Sequence, residues 1–476
     1  MHPFVNQKSK SFGRSVAVTE TIVPVMKGAL PARNPVGSES RDQGAKWAFF
    51  FLLLFTFAIY ARPEDMFPFV GRLHLTLFFA LCAALTYFGA LLSRNTRSLW
   101  SWELRLTLLL TGWFIAGLPF AFWPGGSFQV LLDPWGKTLI IFFLLTQTLV
   151  TLGRVRKLLW AIILSELVVT GFSILMSSSV KWVGDRIYGV SLGLLGWNFL
   201  GVAVAITLPY IAAMLVVERS LVKISLLIVS SFMMMWMVVL TASRGGFLNV
   251  LFSTVLTSVL VLRGSFRGKI IGCGIALALV VVVALAPGVF WERLHTIWNG
   301  SNAPLDWTVS AAEQSKEERL DLLTRSIQYT LEHPVFGVGL GNFSNVSGTE
   351  LNQPDAWLGT HNTFTEISSE AGVPALLLFI GVLVTAARNL VRVGNAPLKD
   401  PENLELPLMA RAALASLLSF VFAGFFVHLA YTYYFFYTVA IAVGIHQIAH
   451  AMEATSAEAS RDFCSTMQLS SVRSSL

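Results

Sequence analysis

The sequence predicts an all-α membrane protein: a polytopic helix bundle of about 12 spans with a large periplasmic loop between spans 9 and 10. Three observations support this fold class. Hydrophobic residues make up 55% of the 476 residues and charged residues only 13%, whereas about a quarter of a typical soluble domain is charged. The mean hydropathy of +0.66 excludes an ordinary soluble enzyme. The apolar residues also form runs of about 20, the length with which an α-helix crosses a bilayer.

Twelve such runs are candidate membrane spans. Each must be helical, because an unpaired backbone amide in lipid costs several kcal/mol. The first run is the shortest of the twelve. The runs cover residues 47–61, 73–92, 104–122, 135–152, 158–178, 196–217, 222–242, 246–262, 269–289, 371–390, 408–428 and 430–449.

The spans divide the chain into five regions. Residues 1–45 are polar and lack the apolar segment and cleavage site of a signal peptide, so we expect a disordered cytoplasmic leader. Spans 1–9 follow in residues 46–290, and residues 291–370 are expected to form a periplasmic loop that carries an amphipathic helix. Spans 10–12 occupy residues 371–450, and residues 451–476 are a cytoplasmic tail.

The charges between the spans predict the orientation of the bundle. Every even-numbered connection carries Arg or Lys, as the positive-inside rule requires of cytoplasmic loops; Arg154, Arg156 and Lys157 are one example. Both termini are therefore expected in the cytoplasm. The net charge of +7 reflects this orientation. No nucleic-acid partner is expected, because the basic residues form short clusters rather than one basic face.

Three outward connections contain arginines that the orientation rule does not explain: Arg186, Arg244 and Arg319. Each has a structural alternative. Arg186 has Asp185 beside it for a salt bridge, Arg244 is placed to reach phospholipid headgroups, and Arg319 has acidic neighbours in its own loop. The functional alternative is the binding of an anion, since a guanidinium group matches phosphate oxygens in a bidentate way.

The long loop is expected to fold as a small cap. Ser315 and Glu318 form a capping box, which predicts that a helix starts there. The dipeptide His333-Pro334 predicts its end, and a flexible glycine-rich turn follows. Between these signals an apolar stripe at helical spacing is made of Leu320, Leu323, Ile327 and Leu331.

His361 is the candidate catalytic base. It lies beside Asn362, just before the tenth span and on the same side as the three unexplained arginines. A neutral imidazole near pH 7 is suited to take a proton from a hydroxyl group. A lone histidine near a membrane surface also has a structural alternative, and His295 and His333 are competitors for the role.

No metal or nucleotide cofactor is expected. Neither the cysteines nor the histidines have metal-ligand spacing. The turn from Gly337 to Gly341 lacks the Lys-Ser/Thr of a phosphate-binding P-loop. Glu166 is the only carboxylate well inside a predicted span, where it is either a buried partner or a proton-coupling site.

Four motifs in this order resemble the O-antigen ligase / O-antigen polymerase superfamily of bacterial inner-membrane glycosyltransferases. The best-matching region is about residues 185–390, and the number of spans and the large loop after the ninth also agree with the family plan. The motifs are Ser243-Arg-Gly-Gly246, Glu318-Arg-Leu320, His333-Pro-Val-Phe-Gly-Val-Gly-Leu-Gly-Asn-Phe343 and His361-Asn-Thr-Phe-Thr-Glu-Ile-Ser-Ser-Glu-Ala-Gly372.

The resemblance implies a function. Family members transfer a glycan from an undecaprenyl-pyrophosphate carrier to an acceptor at the periplasmic face, with neither metal nor nucleotide. The acceptor is the lipid A core in ligases and a growing carrier-linked glycan in polymerases; we favour the ligase slightly. The resemblance also implies that Arg186, Arg244 and Arg319 hold the pyrophosphate, and that His361 activates the acceptor hydroxyl with Asn362 in support.

Two other classes of function compete with this interpretation. A secondary transporter or lipid-glycan flippase would show paired internal repeats, broken helices and ionisable residues near the middle of the membrane. The sequence shows no clear repeat and only Glu166 deep in a span. A non-enzymatic membrane partner of polysaccharide assembly is the third hypothesis. Membrane lipids are expected partners in every case.

Overall fold

The computed structural model is a bundle of α-helices, and it describes residues 38–93, 96, 98–175, 182–183, 186–187, 197–299, 307–352, 358–396 and 404–474. In this part of the chain 11 helices are long and apolar enough to cross a membrane, and Ala45–Ala61 is a shorter apolar helix. Each of the twelve predicted spans corresponds to one of these segments. The predicted all-α, polytopic fold class is therefore confirmed, and the chain is an integral membrane protein.

The helices are numbered in chain order. A two-residue strand pair, β1 (Trp182–Val183) and β2 (Arg186–Ile187), is antiparallel. The helices are α1 (Ser38–Ala61), α2 (Pro63–Met66), α3 (Pro68–Gly71), α4 (Leu75–Leu92), α5 (Trp102–Gly117), α6 (Pro124–Val130), α7 (Gly136–Thr148), α8 (Leu152–Leu175), α9 (Trp197–Val217), α10 (Leu221–Leu240), α11 (Arg244–Thr257), α12 (Phe266–Ala284), α13 (Gly288–Asn299), α14 (Trp307–Glu332), α15 (Phe343–Leu351), α16 (Thr363–Gly394), α17 (Glu405–Ala423) and α18 (Tyr433–Ser474).

The centre of the bundle is built around α9. In the most apolar stretch of α9, 89% of the residues are buried inside the protein. In the spans that contain α4 and α12 only 17% are buried, and the remaining apolar side chains are available to contact lipid. Small residues explain the close packing of α9, because a Cβ atom at Gly201 would overlap the Cα atom of Gly246 on α11. Glycines at this crossing let the two backbones touch, as is common between membrane helices.

Contacts between connections confirm which ends of the spans lie together. Arg156, at the start of α8, pairs with Glu405 at the start of α17. Arg267 at the start of α12 donates to the carbonyl oxygen of Glu218 after α9. At the opposite end of the bundle, the amide of Thr363 donates to the carbonyl oxygen of Gly424 (2.7 Å). The first two contacts thus join even-numbered connections to each other, the fourth to the tenth and the sixth to the eighth, and the third contact joins the end of the long loop to the eleventh connection.

The predicted start of the loop helix was wrong. This helix, α14, begins at Trp307, eight residues before the capping box at Ser315. The intervening residues include Ala311, Ala312 and Gln314, which are strong helix formers and extend the helix toward its N-terminus. Its end at Glu332, before the predicted stop at His333-Pro334, is confirmed.

The stripe predicted for α14 is not the face that packs on the protein. Leu320 and Leu331 are 56% and 75% exposed, whereas Leu322 and Tyr329 are buried in a small core with residues that follow the helix. Periodicity finds apolar side chains, but lipid accepts such side chains as well as a protein core does. The pattern therefore did not distinguish the packed face from the outer one.

The longest loop-adjacent span, α16, is two helices joined at a break. Gly372 has φ 81° and ψ 173°, so residues 363–371 and 373–394 are separate helical segments. The break frees backbone groups, and residues 334–341, here called the clasp, pair with them. Val338 and Gly339 donate to the carbonyl oxygens of Ser369 (2.8 Å) and Glu370 (2.9 Å). In return, the amide of Val373 donates to the carbonyl oxygen of Pro334 (2.8 Å).

The glycines of the clasp are required by this pairing. Gly337, Gly339 and Gly341 all have positive φ angles. A Cβ atom at Gly337 would also overlap the backbone of Glu370, and one at Gly372 would overlap the carbonyl oxygen of Val335. The predicted flexible turn is thus a fixed structural element, and it holds the loop against α16 beside the candidate site.

Candidate functional site

Three arginines from three helices come together at the loop end of the bundle. Arg244 is the first residue of α11, Arg293 lies on α13 and Arg319 lies on α14. Burial and then the charges of Arg244 and Arg319 lower the pKa of Arg293. Burial and then the charge of Arg244 lower the pKa of Arg319, against a smaller opposing effect of Glu318. These mutual effects define an arginine cluster (Arg244, Arg293 and Arg319), whose guanidinium groups stay charged.

The local sequence positions Arg244. Ser243 is the N-cap of α11, and its side-chain oxygen accepts a hydrogen bond from the amide of Gly246 (3.2 Å). Ala242 has a φ angle of 47°, which turns the chain sharply before the cap. Gly246 then packs on Gly201 of α9. In the Ser-Arg-Gly-Gly motif, Ser243 therefore caps the helix and Gly246 packs against α9. Both contacts fix Arg244 at the start of α11.

His361 lies next to a second histidine that comes from another part of the chain. The rings of His361 and His428 are edge to face, with centroids 5.3 Å apart. His428 belongs to the short connection between α17 and α18. Among the residues that the structure describes, neither Nδ1 atom has a hydrogen-bond partner. The Nδ1 atom of each ring is therefore available to bind a ligand or to exchange a proton with a reacting group.

Thr363 brings the two histidines together. Its side-chain oxygen donates to the carbonyl oxygen of Val427 (2.7 Å) and accepts from the amide of Leu429 (3.0 Å), so both neighbours of His428 are fixed to the start of α16. Gly359 leaves room for the ring, since a Cβ atom there would lie 3.0 Å from it. His361 itself has a φ angle of 52°, a strained conformation for a residue that is not glycine.

Burial and positive charge control the protonation of His361. Burial first, and then the neighbouring His428 and Arg319, lower the pKa of His361 to about 4. Burial also lowers the pKa of His428. His361 is consequently neutral at pH 7 and able to accept a proton. The effect of Arg319 further shows that His361 lies near the arginine cluster.

Asn362 has a structural task in this arrangement. It is the N-cap of α16, and its side-chain oxygen accepts hydrogen bonds from the amides of Phe364 (2.9 Å) and Thr365 (3.1 Å). These bonds satisfy two amides at the helix start. Asn362 therefore fixes the direction in which the chain leaves His361.

A cavity of about 660 Å³ adjoins His428. It is bordered by His428, by Gly359 and Thr360 just before His361, and by side chains of α1, α7, α9, α16 and α18. Most of its wall is apolar, with Tyr431 and Glu366 among the polar groups. Such a volume and composition are usual for small-ligand sites.

The structure thus brings together three of the residues predicted for the site: Arg244, Arg319 and His361. For Arg186 it gives only the backbone, in β2, and its side chain lies outside the described residues. The competing histidines, His295 and His333, are exposed and belong neither to the cluster nor to the histidine pair.

Two residues of the site, Arg293 and His428, were not predicted. Arg293 is a further arginine in an outward connection, the same signal that identified the other three. His428 has a weaker signal, a single imidazole at the outer end of an apolar run. Within the described part of the chain, no group of three or more His, Cys, Asp or Glu side chains is placed to hold a metal ion.

Comparison with known families bears on this arrangement. Residues 229–380 match the family model described as O-antigen ligase. This match supports the O-antigen ligase/polymerase superfamily. The resemblance found in the sequence motifs is therefore confirmed, and the match implies a membrane glycosyltransferase-like enzyme. The matched region contains the arginine cluster and His361, while His428 lies beyond it. A comparison with curated proteins gave no match.

Proposed function

We propose that the protein transfers a glycan from an undecaprenyl-pyrophosphate carrier to an acceptor hydroxyl at the periplasmic face of the bacterial inner membrane. The proposal rests on one observation: the arginine cluster lies close to His361, which is neutral at pH 7. The acceptor we favour is the lipid A core, which makes the protein an O-antigen ligase. A polymerase of the same superfamily shares the donor chemistry and differs in its acceptor, a growing carrier-linked glycan.

The proposed chemistry follows from the charges. The bond between the anomeric carbon and the phosphate oxygen breaks, and its electron pair leaves on the pyrophosphate. Arg244, Arg319 and Arg293 stabilise the charge that develops there, and we propose that Arg186 joins them. His361 takes the proton of the acceptor hydroxyl while its oxygen bonds to the anomeric carbon. A single base on the side opposite the phosphates inverts the anomeric centre, and these residues act without a metal.

The proposed orientation places both termini in the cytoplasm. The even-numbered connections are basic, as cytoplasmic loops are, and contacts join the fourth to the tenth and the sixth to the eighth. The opposite end then faces the periplasm, with the region 291–370 forming one wall of the catalytic site. We retain residues 1–45 and 451–476 as the cytoplasmic leader and tail.

The alternative of a transporter or flippase rests on two features. Glu166 is buried in α8, where its side chain accepts a hydrogen bond from Thr207 (2.9 Å), and α16 is a broken helix. A transporter uses the backbone groups at such a break to bind its substrate. In α16 the clasp already occupies these groups, which favours the enzyme.

Deletion of the gene tests the proposed function in the cell. We expect lipopolysaccharide to lose its long glycan while the carrier-linked polymer persists, and the wild-type gene to restore it. Glycans reduced to single repeat units would instead identify a polymerase. Unchanged lipopolysaccharide and unchanged surface polysaccharide in the deletion strain would overturn the proposal.

A further inference from the structure

We propose that the 660 Å³ cavity beside His428 binds the saccharide of the acceptor, with Glu366 as a ligand for its hydroxyl groups. This inference rests on the proposed function and adds the place of the second substrate. Three properties of the cavity support it: its position relative to the two histidines, its charge, and its lining.

The cavity adjoins the histidine pair. His428 borders the cavity, and so do Gly359 and Thr360, which directly precede His361, whereas none of the three clustered arginines borders it. The ring of His361 lies 5.3 Å from that of His428, and the charge of Arg319 lowers the pKa of His361. A hydroxyl group held in the cavity would therefore lie beside the histidine pair, where the proposed transfer needs the acceptor.

The charges at the cavity wall differ from those of the arginine cluster. The two cations that border the cavity have acidic partners, since Arg62 pairs with Asp65 (2.7 Å) and Lys137 pairs with Asp133. The cavity therefore lacks the grouped arginines that the cluster offers to a phosphate. The cavity and the arginine cluster are consequently suited to different parts of the reaction.

The lining of the cavity suits a saccharide. Aromatic rings of Phe199, Tyr431 and Tyr434 offer flat apolar surfaces, and Ser344 and Thr360 add hydroxyl groups. One oxygen of Glu366 accepts from the amide of Ala430 (2.9 Å), which holds the carboxylate in place at the wall. A carboxyl group fixed in this way can form hydrogen bonds with sugar hydroxyls.

Glu370 has a different task, although it borders the same cavity. Its two oxygens accept from the amides of Gly341 (2.8 Å) and Phe343 (3.2 Å) and from the hydroxyl of Tyr431 (2.7 Å). It therefore joins the clasp and Tyr431 to α16. A substitution of Glu370 would disturb the clasp, so Glu366 is the residue that tests binding.

The test uses the full-length protein in proteoliposomes, with two acceptor probes. These are the lipid A core oligosaccharide and the carrier-linked repeat unit of the producing strain. Glu366→Gln keeps the shape and the bond to Ala430 but replaces the other carboxyl oxygen by an amide nitrogen. Ser344→Trp fills the cavity from a different helix, α15, in case the first variant folds poorly. Glu103→Gln is the matched control, since Glu103 is a buried carboxylate on α5 that accepts a hydrogen bond from Asn389.

We expect Glu366→Gln to raise the KM for the acceptor about threefold to tenfold, the effect of losing one hydrogen bond. Ser344→Trp, which occupies space in the cavity, should raise this KM at least as much. Binding of undecaprenyl pyrophosphate, measured separately, should be unchanged. The control should keep the wild-type KM. An unchanged acceptor KM in both cavity variants would overturn the inference, and so would weaker carrier binding with a normal acceptor KM, which would place the donor in the cavity.

Equilibrium binding separates this inference from the proposed function. Each acceptor probe is titrated against wild type and Glu366→Gln without donor, and the repeat unit is used here as the free glycan so that no pyrophosphate reaches the arginine cluster. Saturable binding that weakens in the variant supports a saccharide site even if the wild type transfers no glycan, and then the proposed reaction alone fails. Equal binding to both proteins, or none to either, overturns the cavity assignment while leaving any observed transfer intact.

Discussion

At the scale of single residues, the proposed function couples the protonation of His361 to the donor. Burial, His428 and Arg319 hold the pKa of His361 at about 4. An imidazole of such low pKa is a weak base at neutral pH. In the proposed reaction, a pyrophosphate held by the arginine cluster would bring negative charge close to the ring, which favours the protonated form and raises the pKa. Donor binding would therefore make His361 a stronger base when the acceptor is to be deprotonated.

This coupling predicts a specific pH profile. His361 must be neutral to accept a proton, so kcat/KM for the donor should fall as the pH falls through about 4, the pKa of the free protein. The acidic limb of kcat should lie at higher pH, because the donor raises the pKa in the complex. Transfer rates measured from pH 3 to 8 give both limbs.

Arg319→Gln provides the internal check on that profile. Removing the positive charge should move the acidic limb of kcat/KM to higher pH, since Arg319 lowers the pKa of His361. A limb that stays in place in this variant would show that the rate does not report the ionisation of His361.

At the scale of elements, the break in α16 and the clasp form one unit. The glycine-rich motif was recognisable in the sequence, but its partner was not, because the pairing joins segments about 30 residues apart through backbone groups. Hydrophobic periodicity placed the tenth span at residues 371–390, which is the part of α16 after the break. It missed the helical segment before the break, where polar residues line the site rather than contact lipid.

Replacing Gly372 by alanine should destabilise the protein by at least about 2 kcal/mol, because the residue has a positive φ angle and the new Cβ atom meets the carbonyl oxygen of Val335. Gly381→Ala on the same helix is the control. Its Cβ atom would only touch Leu106 at 3.5 Å, and a helical glycine gains about 0.5–1 kcal/mol from alanine. Thermal unfolding in detergent compares the two. Equal midpoints would contradict the role of the break.

At the scale of the whole molecule, the site is assembled from distant parts of the chain at one end of the bundle. The fold class, the spans and their alternating direction followed from composition and hydropathy, because a bilayer imposes length and charge rules. The arginines could be identified in the sequence because they lie in outward connections, where the positive-inside rule does not explain them. His361 was identified because it lies on the same side, just before the tenth span. His428 was not, because its role depends on the packing of the last two spans against the start of α16, which no local pattern encodes.

The most direct measurement of the central claim is glycan transfer by the purified protein in proteoliposomes with a carrier-linked donor. We predict transfer by the wild type, a loss of at least about 100-fold for His361→Gln, and a loss of at least about tenfold for Arg244→Lys, which keeps the charge but not the bidentate fork. Arg325→Lys is the control, since Arg325 forms a surface pair with Asp321 (2.8 Å), and it should transfer at the wild-type rate. Normal transfer by a correctly inserted His361→Gln protein would contradict the account.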